Sequence, residues 1–215
     1  MGDFLHYLNF RKGHIFDLSV DHAQIVLYAI AIATVIALAT AVLVYRRERL
    51  SAIVVAIAGT FLTIPSLALF GLMIPIVGLG TKPALVALVM YALLPILRNA
   101  VVGLRGVDPA VIESAQGMGM NRVRRRVRIE LPLAWPVILT GIRVSTVLIV
   151  GVAAIGAYVN GPGLGEDIFA GLARIGTPTA LHLTLSAILA VVALALLFDA
   201  FYAALGRLTT SRGIR

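Results

Sequence analysis

Five apolar runs, each near the length needed to cross a bilayer, leave few folds open to this chain. A membrane-spanning helix needs about 20 consecutive apolar residues, because the hydrocarbon core is about 30 Å thick and each residue adds about 1.5 Å. Residues 23–44 meet this length without interruption. Residues 52–77 meet it with Pro65 and Pro75 inside, which predicts a kinked helix ending in the turn Gly78-Leu79-Gly80. Residues 83–104 open on a helix-compatible proline and approach their end with Arg98 and Asn99, whose side chains can snorkel to the interface. Residues 133–158 carry Trp135 near their start as an interface anchor, and residues 180–205 form the last run. The expected fold is an all-α integral membrane protein of five transmembrane helices.

Composition agrees. The chain is 60% hydrophobic and 13% charged, whereas a soluble domain is about 25% charged; a soluble fold of this size would leave a greasy surface. The absence of cysteine excludes disulfides, zinc-thiolate sites and thiol catalysis. The first run is too long for the apolar core of a cleaved signal peptide, about 7–15 residues. Arg46-Arg47-Glu48-Arg49 follows it as a stop-transfer flank.

A net charge of +8 raises the question of nucleic acid, but the placement of the charge answers it. With the N-terminus outside, the cytoplasmic segments hold Arg46, Arg47, Arg49, Arg98, Arg105, the cluster Arg122 to Arg128, and Arg207, Arg212 and Arg215. Only Arg11, Lys12, Lys82 and Arg174 fall outside, and Arg143 lies within a run. The positive-inside rule then sets the N-terminus out and the C-terminus in the cytoplasm. The basic balance records topology, not a nucleic-acid partner. One domain, 23–205, is expected, with a cytoplasmic tail, 206–215. An N-terminal segment, 1–22, precedes it, whose Phe4, Leu5, Leu8, Ile15, Phe16 and Leu18 predict a helix lying on the outer face.

The loop 105–132 is long for a connection between spans. Asp108-Pro109 starts a helix, with the acid as cap and proline in the first turn. Val111, Ile112 and Ala115 then share an apolar side, and Glu113 and Gln116 a polar one. Gly117 and Gly119 break this helix, and residues 121–130 continue as a basic helix that Pro132 ends. A short helix, a glycine turn and a second helix make a shape suited to docking into a partner. The basic run 122–128 fits headgroup anchoring as well as it fits a protein contact.

Within that loop stand Glu113-Ser114-Ala115, then Gly119, then Ile129, Leu131 and Pro132. This resembles the EAA loop of ABC-importer permeases, Glu-Ala-Ala, three residues, Gly, nine residues, Ile-x-Leu-Pro; every spacing fits and Ser114 is the one departure. Further stretches are similar to permeases of the glycine betaine/carnitine/choline osmoprotectant systems. These are Thr63-Ile64-Pro65-Ser66-Leu67-Ala68-Leu69, Tyr91-x-Leu93-Leu94-Pro95-x-x-Arg98-Asn99, Gly141-Ile142-Arg143 and Gly161-x-Gly163-Leu164-Gly165. The likeness covers about residues 20–205. It implies a type I ABC permease with a methionine-importer-like core, in which small residues at 114 and 115 let α-helix and ATPase groove fit together while Glu113 faces a basic partner. It also implies two ATPase subunits holding ATP and Mg, a second permease subunit, identical or homologous, and an extracytoplasmic substrate-binding protein.

No cofactor is expected on this chain. A phosphate-binding loop needs Gly-Lys-Ser/Thr, and the only lysines, Lys12 and Lys82, follow Arg and Thr. Arg143 and Asp199 are charges inside apolar runs, and such charges face a cavity or a partner charge. A structural ion pair and a gate are both open to them. His6, His14 and His22 recur every eight residues but lack further ligands for a metal site. Tyr91, Trp135, Tyr158 and Phe169 are scattered, so no aromatic cage for a quaternary amine can be assembled from them. The rival within the class is a permease for methionine or another small solute. A membrane-embedded enzyme would need more converging groups than Arg143, Asp199 and His182 provide, and a structural protein would not need the loop motif.

Overall fold

The structure, a computed structural model, describes residues 2–209; the expected tail lies outside the described residues from 210 onward. The elements are α1 (Gly2–Val44), α2 (Glu48–Thr63), α3 (Ser66–Val77), α4 (Thr81–Arg105), α5 (Pro109–Gly117), α6 (Arg122–Arg125), α7 (Leu131–Ala153), α8 (Gly165–Leu172) and α9 (Pro178–Thr209). A π turn, Arg126–Glu130, joins α6 to α7, and a 3-10 stretch, Ala154–Val159, follows α7. Among the described residues four helices are long and apolar enough to cross a membrane, and the pair α2–α3 makes up to five spans.

The N-terminal segment is not a helix of its own. It runs into the first span as one helix of 43 residues, because no proline or glycine occurs between Gly13 and Gly59 to stop it. Its N-terminal half rests on protein. Arg11 reaches Asp167 of α8 at 3.3 Å, and the rings of Phe4 and Tyr7 pack on His182 of α9. Further along, the fully buried His22 bonds the Val150 carbonyl at 2.9 Å.

The second span departs from a single kinked helix. It splits at Ile64-Pro65 into α2 and α3, bent by 100°. Proline supplies no N–H and forces its predecessor out of helical geometry, and Ile64 is accordingly extended at φ −73 and ψ 126. Tyr91 of α4 completes the break, its hydroxyl donating to the Ile64 carbonyl at 2.6 Å. Backbone groups freed by a break in a span need such partners. Pro75 stays inside α3, which ends at Gly78 with φ 83.

Helices α4 and α7 form the most extensive pairing in the bundle. Small residues let them approach closely, as in other membrane helix pairs. A Cβ added at Gly141 would stand 2.7 Å from Asn99 Cβ and 2.8 Å from the Pro95 carbonyl. The buried Ser145 hydroxyl donates to the Ala92 carbonyl across the same interface at 2.8 Å. α9 joins through Thr146 and the Tyr202 hydroxyl, 3.1 Å apart. Since α4 and α7 flank the loop 105–132, both of its ends stand on this close-packed pair.

Candidate functional site

The loop is built from capped pieces. Asp108 caps α5 by accepting from the Ala110 N–H at 2.8 Å, with Pro109 in the first turn. The helix stops at Gly117, and Gly119 turns the chain at φ 77, a left-handed angle glycine adopts at no steric cost. The Met120 N–H donates to the Ala115 carbonyl at 3.1 Å and seals this end. Asn121 then caps α6, accepting from the Arg124 N–H at 2.9 Å. Pro132 does not end the basic helix as expected. The chain runs on from residue 122 through α7, with a five-residue π turn just before Pro132. Bonds in such a turn span five residues, and here the Leu131 N–H donates to the Arg126 carbonyl.

The motif residues take different places. Glu113 and Ser114 are exposed, whereas Ala115 is 1% exposed, on a helix that packs against α6 and the π turn. On α5 Ala115 is the buried residue and Ile112 is half-buried, while Val111, Glu113, Ser114 and Gln116 are exposed. Ile129 and Leu131 are half-buried and Pro132 is exposed. A cavity of about 720 Å³ separates α5 from the α1–α2 turn, with Arg46, Glu48, Arg105, Glu113 and Gln116 among its walls.

Behind the loop lies a buried cluster of charge. Glu130 is fully buried, and its carboxylate accepts from the Tyr45 hydroxyl, from Arg125 Nε at 2.7 Å and from Arg46 Nη2 at 3.3 Å. Arg125 is 3% exposed. Arg46 Nε also donates to the Tyr45 hydroxyl at 2.6 Å, and that bond, ahead of the charge on Glu130, raises Arg46 above the ordinary guanidinium range. Arg105, the last residue of α4, donates to the Tyr45 carbonyl at 2.7 Å and to the Ser51 hydroxyl at 2.5 Å. A helix's last carbonyls need outside donors, and here Arg105 supplies one to the end of α1. The cluster fixes the end of α1, the start of α2, the end of α4 and the π turn to one another.

The structure also brings Arg143 and Asp199 together. The guanidinium grips the carboxylate with both arms, Nε to Oδ1 at 2.6 Å and Nη2 to Oδ2 at 2.7 Å. The side chains are 42% and 40% exposed. They sit in a shallow depression with Thr140, Val144, Val147 and Leu148. The pair thus lies on the outer surface of this chain's bundle, between α7 and α9. Two of the aromatics have structural partners: Tyr91 serves the α2–α3 break, and the Trp135 indole N–H donates to Thr209 at 2.9 Å. His14 reaches Asp167 and His22 the Val150 carbonyl, and among the described residues no three His, Asp or Glu converge as metal ligands.

Residues 29–211 match the family described as binding-protein-dependent transport system inner membrane component. The chain belongs to that family. Among other inner membrane components, it is similar to the choline transport system permease protein OpuBB of Bacillus subtilis, 37% identical over 80% of this chain and 79% of the relative. The carnitine transport permease protein OpuCB of Listeria monocytogenes is 41% identical over 71% of this chain and 70% of its own. The osmoprotectant import permease protein OsmW of Salmonella typhimurium is 35% identical over 99% and 100%. An inward-facing crystal structure of the MetNI methionine ABC transporter superposes with a TM-score of 0.80 at 23% identity, covering 92% of this chain and 96% of that one. That likeness establishes the fold.

For this inner membrane component, sequence reasoning missed Tyr45, Arg46, Arg105, Arg125 and Glu130 as one unit. One signal was present: Glu130 is the lone acid at the end of a run of five arginines. Its partner Tyr45 is 85 residues away, and no local pattern connects them.

Proposed function

We propose that this chain is the membrane permease subunit of an ATP-driven importer of quaternary-ammonium osmoprotectants such as choline, carnitine and glycine betaine. The similarity to OsmW along essentially the whole chain carries the substrate class, with OpuBB and OpuCB in agreement. ATP and Mg bind on separate ATPase subunits, which dock on the exposed Glu113–Ser114 side of α5. A second permease subunit, identical or homologous, completes the path, and an extracytoplasmic binding protein delivers the solute. α5 faces the cytoplasm and the N-terminus lies outside. The solute crosses as the two permeases alternate between outward and inward openings.

Gly119→Pro and Glu113→Lys test the docking. Proline's φ near −65° cannot reproduce the φ of 77 at this turn. Uptake of labelled choline and glycine betaine should collapse in both variants while membrane levels of the subunit stay normal. Wild-type uptake by either would refute the docking. Competition by unlabelled methionine, with none by betaine, would refute the substrate class. Cysteines introduced at Gly2 and Gly213 report orientation, and an impermeant maleimide that labels only Gly213→Cys in intact cells would reverse it.

A further inference from the structure

We infer that the groove between α1 and the start of α7 is a binding site for a single anionic phospholipid. Its walls are Leu38 from α1 and Val127, Leu131, Pro132, Trp135 and Ile138 from the α7 side, enclosing about 380 Å³. No charged side chain lines it. From Val127 to Ile138 is eleven residues, about 16 Å of helix, roughly half of a hydrocarbon core about 30 Å thick. The groove therefore has the depth of one leaflet.

Cations stand at one end only. Arg124 and Arg128 are exposed, one on either side of Val127, while their neighbours are engaged inward. Arg125 is held by Glu130, and Arg126 lies over the Tyr45 ring at 5.8 Å. Arg125 and Arg126 thus turn into the protein, while Arg122, Arg124 and Arg128 stay exposed, the last two nearest in sequence to Val127 of the apolar slot. Trp135 is tied by its indole N–H to Thr209 of α9, which fixes its ring as a wall. An acyl chain fits the slot, and a headgroup phosphate meets Arg124 and Arg128. A polar partner surface would gain nothing from the slot, and a zwitterionic lipid would gain little from the two arginines. Basic residues at the membrane surface each add about fivefold to the binding of anionic lipid.

The test is lipid retention by the full chain, purified in its transporter complex in mild detergent and titrated with phosphatidylglycerol or phosphatidylcholine under native mass spectrometry. Wild type should retain phosphatidylglycerol preferentially. Arg124→Gln with Arg128→Gln should lower that preference on the order of twentyfold. Leu38→Trp, which fills the slot, should lower retention of both lipids. Thermal stability of each variant in lipid-free detergent shows whether it has folded, and Val127→Phe replaces Leu38→Trp if the latter has not. Equal phosphatidylglycerol retention by wild type and the double arginine variant overturns the site. Loss of the ATPase from the double variant with lipid retention unchanged also overturns it, and assigns the arginines to the ATPase instead.

Discussion

Glu130→Gln is the sharpest probe of the buried charge cluster. The substitution keeps the shape of the side chain but removes the charge that three donors share: Tyr45, Arg125 and Arg46. Arg46 reaches solvent and can rehydrate, but Arg125 is 3% exposed and cannot. Leaving one ion of a buried pair without its partner costs about 3–5 kcal/mol. For chains of about 150–250 residues each kcal/mol moves the melting temperature by about 2–4 °C, so a fall of roughly 6–20 °C is expected. The measurement is thermal unfolding of the purified subunit in one detergent, alongside Arg125→Met combined with Glu130→Met. That double variant removes both charges, and apolar replacement of a whole buried pair is often neutral or better. It should therefore melt closer to wild type than Glu130→Gln alone. A single variant that melts within about 2 °C of wild type would show that Arg125 finds water or another partner, and the reasoning would fail.

Gly141→Val should separate α4 from α7, since its Cβ would stand 2.7 Å from Asn99 Cβ. A loss of about 1–3 kcal/mol, read by thermal unfolding, is expected from such overpacking. Tyr91→Phe removes the donor to the Ile64 carbonyl and should cost about 1–3 kcal/mol, with faster proteolysis near the α2–α3 break as the second readout. Arg143→Ala, Asp199→Ala and the double variant form a cycle in which coupling well above experimental error is expected; simple additivity of the two losses would refute an energetic link.

Hydropathy made four of the spans legible because a bilayer reads length and polarity, and both are local properties. The second span was less so. Pro65 announced a disturbance, but its size depends on whether a neighbour satisfies the freed backbone, and Tyr91 lies 27 residues away. The starts of α5 and α6 were both visible: Asp108 before Pro109 signals one, and Asn121 after the glycine turn signals the other. Arg143 and Asp199 stood out as charges in apolar runs, which left an ion pair open to them. Their exposure on the outside of the bundle was hidden, since a sequence shows no helix facing. The π turn was hidden as well, because a proline can end, kink or widen a helix and only the packing around it chooses.

A rod with no hinge moves as one piece. α1 is 43 residues, about 64 Å, and its interior holds no proline and, past its first residue, one glycine, Gly13. One end is held by Arg105 and the Glu130 cluster beside the 105–132 loop, and the other is held to α8 and α9 through Asp167 and His182. A tilt of about 5° about the first end would displace the second by about 5–6 Å. One unbroken rod therefore connects the 105–132 loop end of the bundle to α8 and α9. A tilt of that size, if the packing of α1 on α4 and α7 yielded to it, would break the 3.3 Å contact between Arg11 and Asp167.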